Sequence, residues 1–337
     1  GAIRFNSDSS KLEYWNGNAW FQIQTFSPNL GDTQSTAGAR GLFTGGSNPS
    51  KLNTIDYVTI SSGGDAQDFG DLANATRAHG AAASRIRGLN GGGNPASGGA
   101  VNTMDFVNID TTGNSQDFGD LTLARNYLAA VNNATRGVFC GAWGPSRSNV
   151  IDHVLFATTG NAADFGDLTE AQQTDGSFSS PTRGFWVGGA TGSGPDYQAS
   201  TTGTQIGCVT TTTLGNAFDF GDLMHGTFGK VGASNSTRGI AAGGYGSPSN
   251  VLDIEFIQMA TLGNASSFGD IVGNGYGFYY GAGTSDTTRA LFAGGSNNVT
   301  DIEYVNISTQ GNSVVFGDLT QGRATLKGIS NANGGLG

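Results

Sequence analysis

Carboxylates are the most numerous chemistry-bearing groups in this chain, and they recur in register. The string Phe-Gly-Asp occurs six times, with Phe at 69, 118, 165, 220, 268 and 316. Its acid is Asp71, Asp120, Asp167, Asp222, Asp270 or Asp318, and four copies add Asp68, Asp117, Asp164 or Asp219 before the Phe. A further slot lies 13 residues before each Phe and holds Asp56, Asp105, Asp152, Gly207, Glu255 and Glu303. These three sets contain 15 of the 26 acidic residues, so most of the negative charge follows the repeat.

Three chemistries could use such acids. The first is a kinase-type metal site, which needs a single such motif beside a glycine-rich loop, a lysine and a catalytic loop. Six copies and four lysines in total do not fit that pattern. The second is calcium binding, which needs six to eight oxygens. The closely spaced D-x-[DN]-x-[DN]-G loop that would supply them is absent. The third is glycoside hydrolysis by a carboxylate pair, which stays open as a less favoured alternative because spacing in sequence does not give the separation in space. The other nucleophiles and ligands are sparse. His79, His153 and His225 are far apart, and Cys140 and Cys208 lie in apolar strings that read as buried packing. His153 occupies a position that holds Tyr57 and Phe106 in other copies, so it too reads as packing. The chain is therefore expected to be non-enzymatic, with no metal and no cofactor.

Recognition chemistry is better represented. Trp143, Arg147, Tyr197, Tyr245, Asp196 and Asn94 fall in segments whose length differs from copy to copy, and Trp, Tyr and Arg dominate recognition patches. These six are the candidate ligand-binding residues. Asn48, Pro49 and Asn297 are expected on the same face.

The repeat sets the frame. The Phe-to-Phe intervals are 49, 47, 55, 48 and 48, and a period near 50 fits a four-stranded propeller blade. A second string, Arg-Gly-x-x-x-Gly-Gly, travels with the first and starts at Arg40, Arg87, Arg136, Arg183, Arg238 or Arg289, with Arg289-Ala290 departing in the last copy. In the second copy, 79–84, 87–90, 103–109 and 116–121 read as four strands, with alternation clearest in 103–109. From Arg to the second glycine slot is six residues in every copy. From there to the third-strand slot is 10, 12, 10, 18, 11 and 8. Variation is thus concentrated between strands two and three, on the face that also carries the link to the next blade. Variable loops above a rigid frame are where scaffolds place recognition. One arginine per repeat beside the acids predicts a repeated ion pair fastening neighbouring strands.

The predicted fold is all-β: a single seven-bladed β-propeller over 1–337. In it, N-terminal strands within 1–24 (Ile3–Asn6, Leu12–Asn16 and Trp20–Ile23) join a strand in 324–331 to close the seventh blade, beside repeats spanning 33–331. Six blades with the N-terminal hairpins outside is the alternative.

The layout resembles the kelch repeat. The diglycine after the second strand matches at 45–46, 92–93, 188–189, 243–244 and 294–295, with Gly141–Ala142 departing and Phe replacing the usual fourth-strand Trp. The segment IRFNSDSSKLEYWNGNAWFQI is similar to short β-rich segments of phage tail-fibre and other virion proteins, and the FGDL repeats resemble those in structural proteins of marine phages, cyanophages in particular. The resemblance implies a virion protein of a tail fibre or surface appendage. It would adhere to a host-surface receptor or glycan, contact other virion proteins and form a homotrimer. A purely structural or decoration protein is the alternative role.

Composition agrees with a folded, acidic binder. Glycine is 57 of 337 residues without a three-residue period, which excludes collagen. The net charge of −10 argues against nucleic-acid binding, and no apolar run approaches a membrane-spanning helix. Position 1 is Gly, not Met, so the chain reads as processed or as part of a longer polypeptide.

Overall fold

The structure is a computed structural model describing residues 2–6, 11–22, 39–143, 146–190, 203–246, 249–273, 275 and 277–336. It forms two compact units, Gly1–Ser35 and Thr36–Gly337.

The first unit is a three-stranded antiparallel sheet, Ile3–Asn6, Lys11–Trp15 and Trp20–Gln22. The hairpin between the last two turns at Gly17, whose φ of 106° suits only glycine, while the Asn16 side chain accepts from the amides of Asn18 and Ala19. Arg4 pairs with Glu13 at 2.8 Å and lies 4.1 Å from the Trp20 ring centre.

The second unit contains six four-stranded antiparallel sheets among the described residues. The first sheet is Lys327–Ser330, Arg40–Thr44, Thr54–Thr59 and Gln67–Asp71; the second is Gly80–Ala83, Arg87–Gly91, Thr103–Asn108 and Gln116–Asp120. The third, fourth, fifth and sixth repeat this plan and begin at Ala129–Asn132, Gly176–Ser179, Val231–Ser234 and Ala282–Ser285. The expected closing sheet differs. Residues 327–330 pair with Arg40–Thr44, with Ile329 opposite Leu42, and among the described residues the N-terminal strands form a sheet of their own. That register buries Ile329 with Leu42, Ala83 and Ile109. The first sheet thereby gains its fourth strand from 327–330.

Each first strand lies against the first strands of its neighbours, and residues 327–330 touch both 80–83 and 282–285. Small residues make this approach possible. A Cβ on Gly283 would sit 2.2 Å from the Gly232 carbonyl oxygen, and one on Gly328 would sit 2.2 Å from that of Gly283. Serines bond the strands across the gap: the Ser179 hydroxyl accepts from Asn132 N, and that of Ser234 from Ser179 N. Residues 331–336 cover the end of these strands where the first-to-second hairpins lie, with Arg85 donating to Leu336 O at 2.8 Å.

Six apolar clusters fill the gaps between consecutive sheets. One joins the sixth sheet (Leu291, Ile302, Phe316) to the first (Phe43, Val58, Ile60). The Phe of every Phe-Gly-Asp string is buried, each contributing about 2–3 kcal/mol of transfer free energy. Its glycine allows two sheets to touch: a Cβ on Gly119 would meet the Gly160 carbonyl oxygen at 2.4 Å. The amide of the following acid donates to an Asn of the next sheet, as Asp71 N does to Asn114 Oδ1 and Asp120 N to Asn161 Oδ1. In the last copy Asp318 N donates to Asp65 of the first sheet.

The expected pairing of the repeat arginines with acids is not what forms. Each repeat arginine donates to a backbone carbonyl of the next sheet: Arg40 to Ile109, Arg87 to Phe156, Arg136 to Thr211, Arg183 to Met259, Arg238 to Ile307 and Arg289 to Ile60. Five of them also lie over an aromatic ring of their own sheet, Arg289 over Tyr304 at 4.7 Å. Three of the five third-strand acids find other cations, carried by the links between sheets. Asp56 binds Arg323, Asp152 binds Arg125 and Glu255 binds Lys230, all with fully buried side chains. A guanidinium forks across carbonyls and stacks on a ring, whereas these acids need a cation delivered into the gap. Residue counts alone do not distinguish the two arrangements.

Cys140 and Cys208 are free and buried, and burial pushes both thiols up to about 12. His153 packs its ring edge on Phe165 at 5.8 Å, as Tyr57 does on Phe69 at 6.0 Å. The packing readings of these residues hold.

Candidate functional site

The links between sheets and the second-to-third-strand loops share one face, and there the links bond in sequence. Tyr127 N donates to Ala78 O, Thr174 N to Tyr127 O, Tyr280 N to Gly229 O, Thr325 N to Tyr280 O and Ala78 N to Thr325 O. These residues occupy equivalent positions just before each first strand. Ala78, Tyr127, Tyr280 and Thr325 hold left-handed backbone there, with φ of 49–57°. Such conformations cost about 1 kcal/mol each outside glycine and persist only where surroundings impose them. The remaining step is different: Gly229 N donates to the side chain of Asp175.

Asp175 is the polar centre of this face. Its Oδ2 accepts from Gln173 Nε2 at 3.0 Å and Gly229 N at 3.2 Å, and its backbone carbonyl accepts from Lys327 Nζ at 3.1 Å. Burial raises the Asp175 carboxyl above its ordinary value, an effect the Lys327 ammonium opposes, and burial lowers Lys327. Gln173 Nε2 also donates to the Tyr280 hydroxyl at 3.3 Å. Burial, then the Asp175 charge, hold that phenol well above its usual value, so it stays a hydrogen-bond donor at neutral pH. Asp175, Lys230, Lys327 and the glycines of the adjoining first strands line a cavity of about 30 Å³, room for roughly one or two waters.

Around this centre runs an aromatic patch. Tyr279 and Tyr280 stack at 4.2 Å, Tyr280 meets Tyr127 at 5.4 Å, and Phe228 meets Tyr245 and Tyr279 each at 5.4 Å. Tyr245 and Tyr279 lie 5.5 Å apart. Tyr245, Tyr279 and Tyr280 are half-buried and Tyr127 is buried, so the patch presents ring faces and edges from a fixed base. Such a surface can stack on an apolar face while hydroxyls and the Gln173 amide hydrogen-bond at its edge.

Of the candidates read from the sequence, Asn94, Trp143 and Tyr245 occupy equivalent positions seven residues after their repeat arginines. Each bridges to the link before its own sheet: Asn94 to Arg77, Trp143 to Asn126, Tyr245 to Phe228. They share a face and belong to three different sheets. Tyr245 is in ring contact with the patch. Trp143 is covered at 5.1 Å by the Arg147 guanidinium across a local hairpin, and Asn94 Oδ1 accepts from Lys51 Nζ. Asp196 and Tyr197 lie outside the described residues. Asn48 is on the loop face and donates to Gly322 O at 2.5 Å.

Tyr127, Phe228, Tyr279 and Tyr280 were not among the sequence candidates, because the links that carry them are nearly constant in length. One signal was present: the spacing from Phe to the next Arg is 18 in four copies and 21 from Phe268 to Arg289, and the longer link holds the Tyr279–Tyr280 pair. Among the described residues no cluster of three or more His, Cys, Asp or Glu is placed to hold a metal ion.

The fold places the chain among all-β proteins of β-propeller type. No family model and no curated protein matches the sequence. Among solved structures, the one titled "Structure of YjhT" matches with a TM-score of 0.60 at 12% identity, over 75% of this chain and 87% of that one. At that identity the likeness is one of fold.

Proposed function

We propose that the chain is a six-bladed β-propeller acting as a non-enzymatic recognition module of a virion surface appendage, and that its loop-bearing face adheres to a host-surface glycan. Six blades closed by residues 327–330 replace the seven expected from the sequence. The support is cyclic: arginine contacts run from each sheet to the next and Arg289 returns to Ile60, and the cluster joining sixth and first sheets is as apolar as the rest. The virion setting rests on the resemblance of the repeats and of residues 3–23 to phage structural proteins.

The observation that carries the binding role is the patch of Tyr127, Phe228, Tyr245, Tyr279 and Tyr280 beside Gln173 and Asp175. It breaks the repeat on the one face where loop lengths vary. Flat aromatic rings over a polar centre suit the apolar face of a sugar and its hydroxyls. Tyr245→Ala/Tyr279→Ala should lower binding to host cells and to any glycan hit by at least about tenfold, since a buried aromatic anchor is worth about 2 kcal/mol or more. Unchanged binding by the double variant refutes the role of the patch. Binding of neither cells nor glycans by the wild-type protein favours a structural virion part.

A second reading draws on the shifted Asp175, Lys327 and Tyr280 groups, because perturbed titration marks catalytic sites as well as structural networks. Under it the protein would hydrolyse a surface polysaccharide. Incubation with host polysaccharide separates the readings: adhesion alone releases no new reducing ends.

A further inference from the structure

The buried cations that satisfy the third-strand acids define a repeated cradle. Arg125 donates to Asp152 Oδ2 at 2.8 Å, to Val150 O at 2.6 Å, and to Phe139 O and Gly141 O, each at 3.2 Å. Arg323 does the same in the first sheet, reaching Asp56 Oδ2, Phe43 O and Gly45 O at 2.8, 3.1 and 2.8 Å. The cradle is thus one carboxylate plus the carbonyls three and five residues after the repeat arginine.

Between the first and second sheets the arginine position is Thr76, and the space is a cavity of about 210 Å³. The cradle residues are still there: Asp105, Asn90, Gly92 and Thr103 all line it. Asp105 Oδ2 accepts from Ser115 and Ala73 N; Oδ1 is shielded from solvent and completes no full-geometry hydrogen bond, with the Asn90 side chain as a further neighbour of the carboxylate. Ala73 also replaces the threonine that donates a hydroxyl to Asp152 and to Asp56 in the other two junctions. Three further buried atoms there are unpartnered, the acceptor-capable Thr76 Oγ1 and His79 Nδ1 and the donor Asn90 Nδ2. The Thr44 hydroxyl lies 2.9 Å from both Asn90 Oδ1 and His79 Nε2 and 3.3 Å from Lys327 O; where it donates to Asn90 or Lys327 it accepts from His79 Nε2, and Nδ1 is then an acceptor. His79 is completely buried, and Asp117 adds a second carboxylate at the rim. Exposed Ala73, Asn74, Ser97 and Thr103 form the opening. Neither Lys51 nor Arg77 is part of the lining.

We propose that this cavity is a binding site for a guanidinium group supplied from outside the chain, either by a small guanidinium compound or by an arginine side chain of a partner. The occupant takes the place that Arg125 and Arg323 take in their own junctions, donating to Asp105 and to the Asn90 and Gly92 carbonyls. The inference is independent of the glycan reading, since it uses a different pocket and a different chemistry.

The experiment is calorimetric titration with two probes, methylguanidine and an end-blocked Gly-Arg-Gly peptide, against wild type, Asp105→Asn and Thr76→Arg. Saturable binding to wild type at about millimolar Kd or tighter is expected for so small a group. It should weaken at least tenfold in Asp105→Asn and vanish in Thr76→Arg, whose own side chain fills the cradle and raises the melting temperature. Asp105→Asn keeps the test valid if Thr76→Arg does not fold. Binding of the peptide alone assigns the occupant to a partner's arginine, and binding of both assigns it to a guanidinium compound. No saturable binding of either probe, or binding that neither variant changes, overturns the proposal.

Discussion

Removing Arg289 tests how the sheets are fastened at the point where the sixth meets the first. Arg289 Nη1 donates to Ile60 O and Ser61 O at 3.0 Å each, and its guanidinium lies 4.7 Å from the Tyr304 ring centre. The stacking is worth about 0.5–1 kcal/mol at a half-exposed site. Two charge-assisted hydrogen bonds, discounted for solvent around the half-buried side chain, add about 1.5–2 kcal/mol. Arg289→Ala should therefore cost about 2–3 kcal/mol. In a unit of about 300 residues, Thr36–Gly337, the unfolding entropy converts each kcal/mol into about 1.6 °C, so the melting temperature should fall by about 3–5 °C. Scanning calorimetry of Arg289→Ala beside Arg238→Ala, the matching contact of fifth and sixth sheets, is the assay. The two should fall together. A loss below about 1 °C in Arg289→Ala, with the full loss in Arg238→Ala, would refute the reasoning, because the junction of last and first sheets would then carry no comparable fastening.

Two further effects follow from named contacts. Gly119→Ala places a Cβ 2.4 Å from the Gly160 carbonyl oxygen of the next sheet, at φ +141°, and should cost about 3 kcal/mol or more; Gly160→Ala, at φ +154° with open space, carries only the backbone strain, so its melting temperature should fall less. Equal losses in two parallel melts would show that the close approach is not tight. His79 is pushed down to about 3, chiefly by burial and then by the Lys327 charge. A base whose folded value lies below its unfolded value of about 6.5 binds its proton first in the unfolded chain, so stability is present above that value and drains as pH falls toward 3, by up to about 1.4 kcal/mol per unit. Asp105 and Asp175, both raised by burial, act in the opposite sense as pH falls. Between pH 7 and 4.5 the melting temperature of His79→Gln should accordingly fall less than that of wild type, and parallel profiles would contradict this.

The period of Phe-Gly-Asp and the alternation of third strands were enough to define the four-stranded sheets, because a strand with one face more buried than the other leaves a period of two. Closure was harder to read. The three N-terminal strands and the segment 324–331 each have strand character, and only the fit of Ile329 against Leu42 and Ile109 decides which edge that segment joins. The partners of the repeat arginines are hidden from the sequence for a related reason. Fixed spacing shows that an arginine recurs beside acids, yet whether it meets a carboxylate or a carbonyl of the next sheet depends on sheet-to-sheet geometry. The candidate site was partly legible. Loop-length variation located the face and Tyr245, while Tyr279 and Tyr280 came from a link whose three extra residues were the only mark. The empty cradle at Thr76 could not be seen at all before Arg125 and Arg323 were found filling its counterparts.

Binding of the host surface by the loop-bearing face is open to steric blocking. Cys140 and Cys208 are buried, so a single engineered cysteine takes a maleimide-linked polyethylene glycol selectively. Ser97→Cys places the polymer on the loop face, and Thr111→Cys places it on the opposite face, in a third-to-fourth-strand hairpin; both positions are exposed. Polymer at 97 should abolish adhesion to host cells that the unmodified protein binds, and polymer at 111 should leave adhesion intact. Adhesion lost only with polymer at 111, or kept with both, would contradict the account.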